Sequence, residues 1–208
     1  MKSVVVTGGT KRLGAAISDG LERAGWRVLR SSHRRESGAD IVADLSLEGG
    51  ADLLFASASE LLGGRPPDAL VNNAALFTGD EDVLERVNYA SPTRLMALMA
   101  ATGGAGSVVN ILDSRILSPG FHPTCMYDET KARLLAATLD AARDCADGLR
   151  VNAVAPGPVL APESVREKAS HCPLGRPTPA AVADAVCYLL SAEFTTGCVV
   201  AVDGGSSV

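Results

Sequence analysis

The stretch Val4-Val5-Val6-Thr7-Gly8-Gly9-Thr10-Lys11-Arg12-Leu13-Gly14 constrains the chain more than any other. Three valines suit a strand buried on both faces, Gly8 permits a tight turn with positive φ, and a helical pattern begins near Arg12. The free N–H groups and positive dipole end of that helix would face whatever lies above the turn, which favours an anion. A dinucleotide pyrophosphate is the natural guest of such a strand, turn and helix.

The remaining chain alternates strand and helix. Apolar residues at Leu13, Ala16, Ile17, Leu21 and Ala24 form the first helical face, closed by Gly25. Strands are expected at Trp26 to Arg30, Ile41 to Ala43, Ala69 to Val71, Ser107 to Leu112, Arg150 to Val154 and Cys198 to Val202. Helices are expected at Leu47 to Leu62, Asp80 to Thr102, Tyr127 to Asp147 and Pro179 to Ser191. This repetition predicts a single α/β domain built on a doubly wound parallel sheet with helices on both faces. A length of 208 residues with 47% hydrophobic content supports one buried core and leaves no room for a second domain.

Several classes of function are disfavoured. The formal charge is −5, and no basic cluster exceeds Arg34-Arg35, so neither nucleic acid nor an anionic membrane is an expected partner. Five cysteines are odd in number and lack metal-type spacing, which predicts reduced thiols in a cytoplasmic protein. His122 and His171 stand alone, and no metal site is expected. No apolar run is long enough to span a bilayer, and no export signal is visible. Chemistry on a small molecule in solution is the expectation.

In an open parallel sheet, ligands sit beyond the carboxyl ends of the strands. Those ends carry Thr7 to Gly14, Ser31 to Arg35, Asp44, Asn72 to Ala75, Asp113-Ser114 and Pro156-Gly157, so the polar oddities converge on one edge. Tyr127 and Lys131 open a helix at i, i+4 spacing and share a face. A phenol is too weak an acid near neutral pH, but an ammonium about 4 Å away contributes on the order of 4 kcal/mol toward its anion at an effective dielectric of about 20, before the desolvation of the Lys. Tyr127 is therefore a candidate general acid with Lys131 lowering its pKa. In isolation, the same spacing also reads as a solvated Tyr beside a Lys.

With these pieces in order, the sequence resembles the short-chain dehydrogenase/reductases over essentially its whole length. The resemblance rests on Thr7-Gly8-x-x-x-Arg12-x-Gly14, Asp44, Asn72-Asn73-Ala74, Asn88, Tyr127-x-x-x-Lys131, Pro156-Gly157 and Val202-Asp203-Gly204-Gly205. It implies a Rossmann fold and a nicotinamide cofactor, with Tyr127 as proton donor, Lys131 on the nicotinamide ribose and Asn88 anchoring a water relay. It also implies cofactor contacts from Gly8, Lys11, Arg12, Leu13, Asn72, Pro156 and Gly157, with Asp44 at the adenine and Ala74 by the adenosine ribose.

Two departures from the common pattern are similar to the pteridine reductase branch. Arg12, preceded by Lys11, replaces the middle glycine of the loop, which implies an Arg reaching the pyrophosphate or the substrate. At the end of the fifth strand, Asn110-Ile111-Leu112-Asp113 places an acid where most members have the catalytic Ser. Counting from the strand selects Asp113, whereas counting back from Tyr127 selects Ser114; loops absorb insertions and strand registers do not, which favours Asp113. An ionised carboxylate beside Tyr127 opposes phenolate formation, so Asp113 is expected either to be protonated or to face a substrate with a protonatable C=N nitrogen. Otherwise Asp113 caps a turn and Ser114 polarises a ketone. Phe77 stands where pteridine reductases stack a Phe on the pterin, although a core Phe would also fit.

Cofactor choice follows from charge. The second strand ends in Ser31-Ser32-His33-Arg34-Arg35 rather than in a carboxylate, so Arg34, helped by Ser32 and His33, is the candidate partner of a 2′-phosphate, and NADPH is the expected cofactor. The apolar helices around Leu95 to Met99 and Leu134 to Leu139 predict a homodimer or homotetramer. The short interval from Val159 to Pro177 leaves room for a small cover, which suits a compact or flat substrate. Three functions remain open: reduction of a pteridine-like C=N bond, reduction of a carbonyl of the ketoacyl or small-ketone type, and cofactor sensing without catalysis.

Overall fold

The computed structural model describes residues 1–35, 39–160 and 172–208. Seven parallel strands, β1 (Ser3–Val6), β2 (Arg27–Ser32), β3 (Ile41–Val42), β4 (Ala69–Asn72), β5 (Gly106–Ile111), β6 (Leu149–Pro156) and β7 (Val199–Val202), form one sheet. Their order is β3-β2-β1-β4-β5-β6-β7. The order reverses at β1, so the connections leaving the paired strands β1 and β4 run toward opposite edges and open the crevice in which such sheets bind ligands.

Strand alternation divides the core in two. Val5, Leu70, Val108 and Val151 pack with α2 (Gly50–Leu61), α4 (Ser91–Ala101) and α5 (Met126–Asp144), while Val4, Val6, Val71 and Val109 pack with α1 (Arg12–Arg23) and α6 (Pro179–Ser191). Every β1 residue is buried, because helices cover both of its faces. Of the apolar residues expected at a subunit contact, Leu95, Met96, Met99 and Leu134 lie in this chain's own core, Leu98, Leu135 and Ala137 pack partly buried against it, and Ala97, Ala136 and Leu139 are exposed. Among the described residues, no helix is long and apolar enough to cross a membrane.

Two expectations are corrected. The second helix starts at Gly50 rather than near Leu47, because Asp44 Oδ1 accepts from Ser46 N–H at 2.9 Å and folds 44–49 into a turn. The helix expected from Asp80 to Thr102 is divided into α3 (Glu81–Glu85), a π turn (Arg86–Ala90) and α4. Pro92 explains the wide turn: its ring would clash with the carbonyl four residues back in a regular helix. A short 3₁₀ turn (Ser114–Leu117) also follows β5, capped by Asp113 through a bond from Arg115 N–H at 3.0 Å. His171 and most of the expected cover segment lie outside the described residues.

Candidate active site

A cavity of about 870 Å³ runs along the carboxyl edge from the β1 turn past the end of β2 to Tyr127 and Pro156. Its floor is set by Thr7, which links two elements far apart in sequence. Thr7 Oγ1 accepts the N–H groups of Asn73 and Ala74, both at 2.9 Å. Asn73 Nδ2 returns a bond to the Thr7 carbonyl at 2.9 Å, so the β1 and β4 turns are welded together. Gly14 is demanded by this closeness, since a Cβ there would run into the Gly8 carbonyl and the Asn73 amide. Arg12 takes φ 52°, a left-handed conformation that glycine ordinarily supplies, at a cost of about 1–2 kcal/mol.

These features fit a dinucleotide. The amino end of α1 has neither a side-chain cap nor an acidic residue in its first turn, and Gly8, Lys11, Arg12, Leu13 and Gly14 line the cavity beside it. The first-turn N–H groups and the helix dipole there suit a diphosphate. Ser31, Ser32 and His33 line the next stretch of the cavity, with Arg34 exposed just beyond and its N–H donating to Ser32 Oγ at 3.2 Å. Asp44 lines the wall near them, and bonds from Ser46 hold its carboxyl below the ordinary range. Ala74, Pro156 and Gly157 complete the cofactor side.

At the other end, Tyr127 and Asp113 meet. The Tyr127 hydroxyl donates to Asp113 Oδ2 at 3.1 Å, and Ser114, buried beside them, also lines the cavity. The Phe77 ring lies 4.8 Å from that of Tyr127, tilted by 58°, and is half exposed to the cavity rather than in the core. Lys131 is buried and donates to the Ile111 carbonyl at 2.8 Å, with its Nζ 5.7 Å from the Tyr127 ring centroid. Burial lowers its pKa to about 8, against the opposing pull of Asp113.

The expected acidification of Tyr127 is not what this geometry produces. Burial, then the Asp113 charge and hydrogen bond, push its pKa well above 10. Lys131 points its ammonium at a backbone carbonyl, and a carboxylate beside the phenol outweighs any help to the anion. Tyr127 is thus a neutral donor held on Asp113.

Two other expectations change. Asn72 does not reach the cavity: it is buried beneath the edge, with Nδ2 donating to Asn110 Oδ1 at 2.8 Å, and Asn110 in turn donates to Thr138 Oγ1 at 2.8 Å. Its neighbour Asn73 lines the cavity instead, because successive residues leaving a strand face opposite ways. Asn88 sits in the π turn with no exposed surface. Its amide exchanges two 2.8 Å bonds with the Leu76 backbone and donates to Thr130 Oγ1 at 3.3 Å, so it clamps the loop carrying Phe77 against α5 rather than facing substrate.

Arg115 and Ser206 were not singled out from the sequence. Ser206 reaches the cavity because Asp203 gathers the segment after β7, accepting Gly205 N–H and Ser207 N–H at 2.9 Å each. Arg115 lines the mouth and lies over the rings of both Phe77 and Tyr127. No local motif marks either residue. Among the described residues, no group of His, Cys, Asp and Glu could hold a metal ion.

Comparison with known proteins agrees with this geometry. The family model described as enoyl-(acyl carrier protein) reductase matches residues 9–207. Protein FixR of Bradyrhizobium diazoefficiens is 31% identical, over 98% of this chain and 86% of its own length. The 2,5-dichloro-2,5-cyclohexadiene-1,4-diol dehydrogenase LinX of Sphingobium indicum is 28% identical over 100% and 96%. Among solved structures, the FolM alternative dihydrofolate reductase 1 of Brucella canis, complexed with NADP, superposes with a TM-score of 0.89 at 30% identity, covering 99% of this chain and 94% of that one. A blue fluorescent protein from a metagenomic library, in complex with NADPH, gives 0.88 at 25% identity, covering 100% and 98%. With its seven-stranded sheet, dinucleotide cradle and Tyr127–Lys131 pair, this chain belongs to the short-chain dehydrogenase/reductase family and is an NAD(P)-dependent oxidoreductase.

Proposed function

We propose that the protein is an NADPH-dependent reductase of a flat, basic C=N substrate of the dihydropterin class. The observation that carries this reading is the Tyr127 hydroxyl held on Asp113 Oδ2 at 3.1 Å. A negative carboxylate at the reacting edge stabilises a protonated C=N nitrogen, which is the form that accepts hydride readily. The same charge works against the developing oxyanion of a ketone.

The nicotinamide, when bound, supplies the hydride. Lys131 would hold its ribose, and Ser32, His33 and Arg34 would take the 2′-phosphate. The substrate nitrogen takes its proton from water before hydride arrives, the Asp113 carboxylate faces the resulting cation, the Tyr127 hydroxyl keeps its bond to Asp113, and Phe77 offers a ring face to a flat heterocycle. The likeness to the FolM dihydrofolate reductase of Brucella canis supports this choice among reductions.

A carbonyl reductase using Ser114 is the alternative, favoured by that residue's place in the cavity wall. Oxidation of NADPH at 340 nm with dihydrobiopterin and a panel of small ketones separates the two. Pterin turnover that falls on the order of 100-fold in Asp113→Ala and little in Ser114→Ala supports the proposal. Turnover of ketones alone, with the larger loss in Ser114→Ala, refutes it.

A further inference from the structure

Asp113 can serve Tyr127 only while its carboxylate is turned the right way, and the chain holds it there through a residue that touches neither the phenol oxygen nor the cofactor cradle. Arg115 Nε lies 3.4 Å from Asp113 Oδ1, the oxygen opposite the one bonded to Tyr127. Its Nη2 lies 3.1 Å from Asp128 Oδ1. Asp128 is buried, the residue next to Tyr127 on α5, and its other oxygen accepts from Thr124 Oγ1 at 2.8 Å and Thr124 N–H at 3.2 Å. Burial alone would raise the Asp128 pKa, but the Thr124 bonds and Arg115 outweigh it and keep the carboxyl below the ordinary range.

The guanidinium carbon also lies 5.5 Å from the Tyr127 ring centroid and 5.7 Å from that of Phe77. One side chain therefore ties the 3₁₀ turn after β5 to the first turn of α5, while covering both rings. A planar fork with several donors can engage two carboxylates and a ring face together, which a Lys cannot.

We infer that Arg115 is a positioning residue that, through its bridge from Asp113 to the buried Asp128, holds the Asp113 carboxylate onto the Tyr127 hydroxyl. Without the bridge, Asp113 Oδ1 keeps only its cap bond from the Arg115 N–H at 3.0 Å, a single point about which the carboxylate can pivot, and the pair comes apart although both members are intact. The inference concerns the pair itself and holds whichever compound the site reduces, so its failure and that of the pterin reading are separable.

The test is ¹³C NMR of the folded chain labelled at the tyrosine ζ carbon. Three tyrosines give three signals, and the one lost in Tyr127→Phe belongs to Tyr127. The ζ carbon reports the hydrogen bond of its own hydroxyl, so Asp113→Ala marks the position of the broken pair. Arg115→Ala is expected to move the Tyr127 signal to that position, and to move it no further when made in the Asp113→Ala background. Asp128→Asn keeps an acceptor for Thr124 but removes the anchoring charge, and is expected to move the signal the same way; Arg115→Lys is expected to restore it only in part. A signal that stays at the wild-type position in both Arg115→Ala and Asp128→Asn overturns the inference. So does an equal shift on removing Arg115 with or without Asp113, which would mean that Arg115 acts on the ring alone.

Discussion

Lys131 should weigh against the stability of the fold at neutral pH, and removing it should show by how much. Its ammonium is buried, with the Ile111 carbonyl as hydrogen-bond acceptor at 2.8 Å. Burial lowers its pKa from 10.5 to about 8, which at about 1.4 kcal/mol per pH unit corresponds to about 3 kcal/mol. Lys131→Met fills similar space without charge but leaves the Ile111 carbonyl without its donor, a loss of about 1 kcal/mol. The net expectation is a gain of about 2 kcal/mol at pH 7, or about 4–8 °C in Tm for a domain of this size.

The sign has a pH signature. Because the folded value lies below the unfolded one, the unfolded chain binds more protons between pH 8 and 10.5. Wild-type stability therefore rises across that window, and the advantage of the Met variant shrinks as it does. Thermal unfolding followed by circular dichroism from pH 6.5 to 10.5, on both proteins without cofactor, measures this directly. A Met variant less stable than wild type at pH 7, or an advantage that is the same at pH 7 and pH 10, would refute the argument. The same variant should lose turnover, placing function and stability in opposition at one residue.

Three further substitutions follow from the cofactor side. Arg34→Ala should raise the Kd for NADPH about tenfold or more while leaving NADH nearly unchanged, as titration of nucleotide fluorescence would show; equal losses would remove the charge argument for NADPH. Gly14→Ala should abolish nucleotide binding and lower Tm, since its methyl meets the Gly8 carbonyl and the Asn73 amide, and a variant that binds normally would contradict the packing. Thr7→Val keeps the shape but strands the N–H groups of Asn73 and Ala74, and should cost about 2 kcal/mol in denaturant unfolding.

Much of the molecule was legible before any coordinates. The valine run, its glycine turn and the strand and helix periodicities are local properties, because backbone sterics and side-chain period act within a few residues. The seven strands and their carboxyl edge followed from them, as did the adjacency of Tyr127 and Lys131 one helical turn apart. Asp44, the β1 loop and Pro156-Gly157 could be assigned to that edge for the same reason: each simply ends a strand.

Tertiary structure decided what depends on distances between segments far apart in the chain. Strand register already favoured Asp113 over Ser114, but the meeting of its carboxylate with the Tyr127 hydroxyl lies across an irregular loop whose path no periodicity encodes. The exchange of Asn72 for Asn73 in the cavity wall rests on which way the chain turns as it leaves β4, and on Thr7, 66 residues earlier. Asn88 became a clamp because a π turn before Pro92 rotates it inward. The direction of the Tyr127 pKa reversed for a physical reason: i, i+4 spacing brings an ammonium near the ring, but burial and the facing carboxylate decide which protonation state is cheaper, and both are properties of the assembled site.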